Sequence, residues 1–530
     1  MRRWNGWGYE TIDFPLAENA FRFLKERIGE AVPRRDATLD EVLTQVPRSR
    51  LPDHPLVTKE AEDRVRHARG QSLPDWLALR SGRIDVFPDG IAYPATREDV
   101  RALLTYAGEA GATVIPYGGG TSVVGHITPN ANEKPVLTID LRRMNRLLSL
   151  DKESQIATFG AGAAGPDVEA QLRAKGYTLG HFPQSFEFST LGGWIATRSS
   201  GQQSLRYGRI EQLFAGGHIE TPVGSLNIPA FPASATGMDL REMVLGSEGR
   251  LGILTEVRIR VTPLPEKESF HVVFFPRWQT ALESVRSAVQ GRVPLSMMRL
   301  SSIAETETQL LLWGNPRAVA LLQRLLSWRG AGADRCMLMY GITGTRAQYR
   351  TARKHAVRVF KEATGFYISK YLGRRWLQSR FLTPYLRNSL WQKGYAVDTL
   401  ETATAWGNVN RMLDAIESAL HGALSSENER IHVFTHLSHL YPQGASIYAT
   451  YLFRVDKTYE QTLIRWQRLK TAASKAIVEN LGTISHQHGV GIDHAPYLKA
   501  EKGELGIAAI RTLCAQFDPQ GMMNPGKLVR

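Results

Sequence analysis

Cysteine is nearly absent from this chain: Cys336 and Cys514 are the only two in 530 residues. That excludes a disulfide framework and any cysteine-rich zinc or iron–sulfur site, and it is consistent with a reducing compartment. Long apolar runs are missing too. No stretch approaches the roughly 18 apolar residues of a membrane-spanning helix, and Met1-Arg2-Arg3-Trp4-Asn5 leads into no signal-peptide core. The last residues, Lys527-Leu528-Val529-Arg530, are not a Ser-Lys-Leu peroxisomal address. A cytoplasmic chain is expected, with peripheral membrane contact left open. There is no basic tail either. The net charge is +14, but Arg2, Arg3, Arg48, Arg50, Arg64, Arg374 and Arg375 are scattered, which favours small anions or acidic lipid surfaces over nucleic acid. Internal repeats and low-complexity tracts are also lacking.

What is present is the composition of a folded protein, 43% hydrophobic and 22% charged, with length for two or three domains. Residues 1–83 open with Trp4-Asn5-Gly6-Trp7-Gly8-Tyr9 and continue as charged stretches broken by Pro33, Pro47, Pro52 and Pro55, so a mainly helical segment is expected. From Ile84 short apolar segments alternate with amphipathic helices, the pattern of an α/β unit. Thr96-Arg97-Glu98-Asp99 opens one helix, with Val100, Leu103, Leu104 and Ala107 at helical spacing. Strands are predicted at 112–115, 136–139 and 156–159, and a helix near 165–175. After Val261-Thr262-Pro263-Leu264-Pro265 the texture shifts to strands near 270–275, 336–341 and 446–453 separated by helices. The resulting boundaries are 1–83, 84–265, 266–500 and 501–530.

The strand at 112–115 runs into Pro116-Tyr117-Gly118-Gly119-Gly120-Thr121-Ser122. Successive glycines free the backbone for positive φ and turn amide N–H groups towards an anion, so the loop reads as a pyrophosphate cradle. It fits neither the Rossmann fingerprint nor the P-loop. Two more glycine-punctuated segments follow, Pro183 to Trp194 and Gly246 to Glu256, and three such loops suggest one extended dinucleotide. Their order and spacing resemble the FAD-binding domain of the vanillyl-alcohol oxidase family over about residues 84–265. The resemblance implies an α+β protein: a two-subdomain FAD-binding domain, plus an α/β cap or substrate domain built on an antiparallel sheet. By it, Pro116, Gly118, Gly119, Gly120, Thr121 and Ser122 hold the pyrophosphate. Ser185, Thr190, Gly192, Gly193, Thr197 and Gly201 line the flavin, and Gly252 and Ile253 meet the adenine half. Tyr207 and Ile210 belong to the following flavin-side segment, and Glu248 is read as a loop anchor. His126 and His181 are nearby, but neither maps to a covalent flavin link, so non-covalent FAD is expected.

Two groups of this superfamily compete for the C-terminal half. FAD-dependent 2-hydroxyacid dehydrogenases of the D-lactate and glycolate type carry His-Gly-Asp-Gly-Asn-x-His and Ser-x-Glu-His-Gly, whose residues can serve a metal. Here the acidic position is Gln487, a poor ligand, so no metal is expected even though His436, His439 and His488 could bind zinc by composition. The other group resembles the chain almost throughout. The Trp4 to Tyr9 opening, Gly180 to Trp194, Met298-Arg299-Leu300, Tyr385-Leu386-Arg387, Gly444 to Tyr448 and Ser485-His486-Gln487-His488-Gly489 are similar to motifs of the alkyldihydroxyacetonephosphate synthase family. Where that family has three consecutive histidines, this chain has Gln487 in the middle.

That resemblance implies exchange of the fatty acid of acyl-dihydroxyacetone phosphate for a fatty alcohol, with flavin N5 as a covalent handle and no net electron transfer. It implies Arg387 as the phosphate clamp, Tyr448 in proton transfer, His488 facing the flavin, His486 beside it and Arg299 in support. If the segment 486–488 were extended, His486 and His488 would share a face. The C-terminal segment is expected to close back onto the flavin site. Partners implied are the two lipid substrates and an acidic bilayer surface, and a homodimer is compatible with the family. A flavin-binding scaffold with a decayed site is the non-enzymatic alternative, motivated by Gln487.

Overall fold

The computed structural model describes residues 1–131, 133–312 and 316–529; Arg530, part of the C-terminal tetrapeptide considered above, lies outside the described residues. Three sheets organise the chain. The first, in the order β1-β2-β4-β3, joins β1 (Val57–Thr58), β2 (Gly90–Ala92), β3 (Thr113–Tyr117) and β4 (Val136–Asp140). Its β2–β4 and β3–β4 pairings are parallel, and the helix Arg97–Glu109 crosses over from β2 to β3. That helix begins where the sequence signals it. The Thr96 side chain accepts from the Asp99 amide and Asp99 returns the bond to the Thr96 amide, a reciprocal cap.

The second sheet is antiparallel, in the order β5-β6-β10-β8-β9: β5 (Leu147–Asp151), β6 (Ile156–Gly160), β8 (Phe214–Thr221), β9 (Gly224–Ile228) and β10 (Ile253–Arg260). A two-stranded ribbon, β7 (Tyr177–Thr178) with β11 (Thr262–Pro263), stands apart from it. One apolar cluster, including Val114, Leu137, Phe159, Val168, Leu191, Phe214 and Val257, packs both sheets and their helices together.

The third sheet has seven antiparallel strands in the order β15-β12-β14-β13-β17-β18-β16. They are β12 (Lys267–Phe275), β13 (Met297–Ser301), β14 (Cys336–Gly344), β15 (Phe366–Ser369), β16 (Tyr395–Ala405), β17 (His432–Leu440) and β18 (Gly444–Arg454). Because side chains alternate along a strand, each strand splits its residues between two faces. Leu300, Leu338, Tyr340, Leu400, Leu437, Ile447, Ala449 and Tyr451 join a core with the helices Trp278–Gln290, Arg346–Glu362, Val409–Gly422 and Tyr459–Glu479. The intervening residues, among them Arg299, Met337, Met339, Thr399, Phe434, His436, Tyr448 and Thr450, line a cavity. The architecture is that of an α+β protein with an antiparallel sheet facing a two-sheet unit.

The ends of the chain are built into this body. The helix Glu18–Ile28 packs Leu24 and Ile28 against Leu390, Tyr395 and Leu452 of the sheet side. At the C-terminus, Met523 bridges to Val114 of β3, while the Asn524 amide donates to the carbonyls of His126 and Glu248. The helix Leu498–Phe517 runs across residue 500, with a break at Gly503. Both cysteines are free and buried.

Candidate active site

One cavity of about 910 Å³ extends from the three glycine loops to the seven-stranded sheet. At its glycine-loop end lie Pro116, Gly118, Gly119, Gly120, Thr121, Ser122, Ser185, Thr190, Gly192, Gly193, Thr197, Glu248, Gly252 and Ile253. Three residues assigned to the cofactor do not line it. Gly201 abuts the Phe182 amide, the Tyr207 ring packs on Gly180, and Ile210 is fully buried in the apolar core, so these shape the wall from behind.

The glycines differ in what they do. Of the three in the loop only Gly120 has positive φ, +66°. Gly118 and Gly119 are required for another reason: a Cβ on the first would strike the Thr190 side chain and on the second the Phe188 carbonyl. The expectation of positive φ thus holds at one position, and close approach of two loops explains the others. None of the amides of residues 118–122 donates to a protein acceptor among the described residues. Five successive unpaired N–H groups beside a cavity fit a bound pyrophosphate. His126 is held by Ser122 (2.8 Å) and lies 3.1 Å from Glu248, while His181 is buried against Ser199 and Trp194, so both side chains are engaged within the protein.

Glu248 is an anchor. Its carboxylate accepts from the amides of Val490 and Gly491, at 2.5 and 2.9 Å, and so ties the segment after His488 to the flavin-side loops. That segment, from Gly482 to Asp493, is a succession of turns rather than a strand. His486 and His488 are consequently separated. His488 and Gln487 line the cavity; His486 does not. The His486 Nε2 accepts from Arg209 and lies 2.6 Å from the Tyr441 hydroxyl, and its Nδ1 is 3.1 Å from Glu401. Arg209 cannot accept, which places the ring proton of His486 on Nδ1, towards Glu401.

Glu401, His439 and His486 bring ligand-type atoms within 4.8 Å of one another, a set different from the one composition suggested. The sequence offered no sign that Glu401 belongs here. Glu401 was legible only once β16 paired with β18 and set it opposite Tyr448.

The polar end of the sheet carries the remaining candidates. Ser301, His436, Tyr448 and Glu401 are cross-strand partners in one row over β13, β17, β18 and β16. Tyr448 stacks on His436 with centroids 5.0 Å apart and meets His488 edge-on at 5.8 Å. Burial pushes its hydroxyl above the usual phenol range. Arg299 donates to Glu305 at 2.5 Å, and Glu305, fully buried, is held down to about 2 by Arg299 and His436 against the opposing effect of burial. Glu305, His436 and Glu401 were not among the residues singled out as catalytic from the motifs.

Arg387 lies on the helix Leu386–Trp391 but faces inward rather than to solvent. Its guanidinium sits 4.1 Å over the Trp76 ring, and Nη1 donates to the Gln71 carbonyl at 2.5 Å. Nε and Nη2 are buried without partners. Burial lowers its pKa to about 10, so it remains a cation at neutral pH, with two donors open to an anion. The opening motif explains how the helix is held. Asn388 exchanges bonds with the Trp7 amide and carbonyl, Gly8 at φ +85° presses on the Tyr385 ring, and Trp7 and Tyr9 pack edge-on to Phe188.

Beyond these groups the cavity becomes apolar. Phe14, Leu16, Ala20, Phe23 and Leu24 from the N-terminal segment meet Leu311, Leu312, Leu390, Phe434 and Leu452. A polar head region with an arginine therefore continues into a limb suited to hydrocarbon.

Family models match two segments of the chain. Residues 88–227 match a family model described as an FAD binding domain, and residues 264–528 match the C-terminal domain of FAD linked oxidases. The alkyldihydroxyacetonephosphate synthase of Trypanosoma brucei brucei is 29% identical over 99% of this chain and 92% of its own length. That of Dictyostelium discoideum is 30% identical over 90% of this chain and 79% of its own length. A solved alkyldihydroxyacetonephosphate synthase structure superposes with a TM-score of 0.85 at 25% identity, covering 99% of both chains.

Proposed function

The chain belongs to the alkyldihydroxyacetonephosphate synthases, and we propose from that membership that it is an FAD-dependent alkylglycerone-phosphate synthase. It exchanges the acyl group of acyl-dihydroxyacetone phosphate for a long-chain alcohol and so forms an ether bond. FAD, bound non-covalently along the glycine loops, supplies an electron-poor centre that holds the substrate carbon during the exchange, without net redox. The observation that carries the reading is the continuity of the cavity, from those loops past Arg387 and Tyr448 into the apolar limb. A small closed chamber would have favoured the hydroxyacid dehydrogenase.

Each residue of this chain has a part in that reading. Arg387 clamps the phosphate with its two unpaired donors. The Tyr448 hydroxyl, kept protonated by burial, donates to the ketone oxygen. His488 packs at the flavin side of Tyr448, and Arg299 supports the sheet end through Glu305. His486 orients the loop from outside the cavity through Arg209 and Glu401. The apolar limb takes the two hydrocarbon chains in turn and excludes water.

Access to an acidic bilayer is part of the proposal. Among the described residues no helix is long and apolar enough to cross a membrane. The helix Pro316–Trp328, however, exposes Leu321 (69%), Leu325 (41%) and Trp328 (81%) at helical spacing, flanked by exposed Arg317, Arg324 and Arg329. It shares an apolar cluster with the helix Lys370–Ser379, which exposes Tyr371 and contributes Trp376 to the cavity wall. Contact of this face with anionic lipid brings the substrates to the cavity.

The test is incubation of the holoprotein with palmitoyl-dihydroxyacetone phosphate and labelled hexadecanol. Label is expected in an alkyl ether with no electron acceptor present. Bleaching of the flavin by D-lactate or glycolate, without ether formation, would favour the dehydrogenase instead.

A further inference from the structure

We infer that Arg380 receives the carboxylate of the fatty acid released in the exchange, as a second anion site besides the phosphate clamp. The inference rests on the ether-forming reading and deepens it. That exchange handles two anions, the phosphate of the substrate and the departing carboxylate, and Arg387 answers only the first.

The permanent cations along the cavity are sorted by what they already hold. Arg299, Arg375, Arg380 and Arg387 line it, and among the described residues no lysine does. Arg299 is paired with Glu305, Arg375 is exposed to water, and Arg387 is the clamp. Arg380 differs from these. It is only 9% exposed, its Nη1 is buried with no hydrogen-bond partner, and no carboxylate pairs with its guanidinium among the described residues. A buried cation without a counter-ion is costly, and an arriving anion repays that cost.

The surroundings select the kind of anion. The guanidinium lies 4.5 Å from the centre of the Phe182 ring, 4.6 Å from that of Phe381 and 5.6 Å from that of Trp376. Burial lowers its pKa to about 10, so it stays a cation at neutral pH. Glu169 and Glu268 act on it only from a distance, each already engaged, Glu169 with Arg173 and Thr178 and Glu268 with Gln203 and Thr343. Three aromatic faces are a poor setting for a hydrated phosphate dianion and a good one for a carboxylate carried on hydrocarbon. The incoming alcohol is uncharged, so of the two lipids that use the apolar limb only the acid draws on this cation. Position agrees. The Arg380 carbonyl accepts from Gln184 at 2.6 Å, next to Ser185 of the flavin side, while Trp376 belongs to the helix that shares an apolar cluster with Pro316–Trp328. The acid is thus held between the reacting end and the lipid-facing elements, on its way out, and its binding makes and breaks no covalent bond.

The experiment measures, by equilibrium dialysis against the holoprotein, the dissociation constants of radiolabelled palmitate and of palmitamide, its uncharged counterpart. Wild type is expected to bind palmitate at least about 10-fold more tightly than palmitamide, the range of a charge-assisted hydrogen bond. Arg380→Met should abolish that preference by weakening palmitate alone, with flavin absorbance unchanged. Arg380→Lys, which keeps the charge but not the flat fit between the rings, should retain part of it. Equal constants in wild type, or the full preference in Arg380→Met, overturns the inference. So does an Arg380→Met protein whose binding of dihydroxyacetone phosphate falls as much as its binding of palmitate, because that assigns the arginine to phosphate. Dialysis involves no turnover, so the two failures stay separate: wild-type protein that makes no ether from hexadecanol overturns the ether-forming reading instead.

Discussion

A single side chain often has its role decided by which of its polar atoms remain unspent. Arg387 has one donor committed to Gln71 and two buried without partners, on a cation stacked over Trp76. Ion pairing with phosphate would repay that desolvation. Replacing Arg387 by Met should raise KM for acyl-dihydroxyacetone phosphate by about 100-fold, in the range of a lost charge-assisted bidentate contact, and leave the FAD content unchanged. Steady-state kinetics alongside flavin absorbance reads both quantities, and an unchanged KM would remove the clamp assignment. His486 teaches the opposite lesson. Its motif suggests chemistry, but its Nε2 is committed to Arg209 and Tyr441 and it lies outside the cavity.

At the scale of elements, the glycine loop and the 188–190 segment are locked by contact. Gly119→Ala drives a methyl group into the Phe188 backbone carbonyl, which has no rotamer to yield. The variant should fold yet retain less than about a tenth of the FAD, since moving the loop displaces the row of unpaired amides. Absorbance of the purified protein measures it, and full flavin content would contradict the cradle. The helix Pro316–Trp328 permits a second element-scale test. Leu325→Glu with Trp328→Glu adds negative charge to an exposed apolar stripe among arginines. Cosedimentation with anionic vesicles should fall several-fold, while turnover of detergent-dispersed substrate stays the same. Equal sedimentation of variant and wild type would place the lipid contact elsewhere.

For the whole molecule the buried histidines set a pH dependence. His181, His439 and His494 are pushed down to about 3, and His271, His432 and His488 to about 4, each chiefly by burial. The unfolded chain takes up these protons near 6.5, the ordinary histidine value, whereas the folded chain refuses them until about 4. Stability therefore rises with pH through that window and falls on acidification below 6.5. Asp493, raised to about 7, binds a proton in the folded state and opposes the trend, one group against six. Thermal unfolding of the holoprotein should show a falling Tm from about pH 7 to about pH 5, and a flat profile would mean that the imidazoles are hydrated rather than buried.

Local pattern determined a good deal of this protein. Alternation and capping residues located the strands Thr113–Tyr117, Val136–Asp140 and Ile156–Gly160 and the helix Arg97–Glu109 to within a few residues, since those signals depend only on neighbours in the chain. The glycine loops announced themselves for the same reason. Tertiary structure alone decided that Arg387 faces inward, that His486 lies outside the cavity, and that Glu305, His436 and Glu401 stand around Tyr448. These facts depend on the register of β13, β17, β18 and β16, and a register is a relation between segments that lie apart in the chain, as Ser301 does from His436 and Glu401 from Tyr448. A side chain's charge and its free hydrogen-bonding atoms follow from which neighbours that pairing supplies, and no motif carries that information.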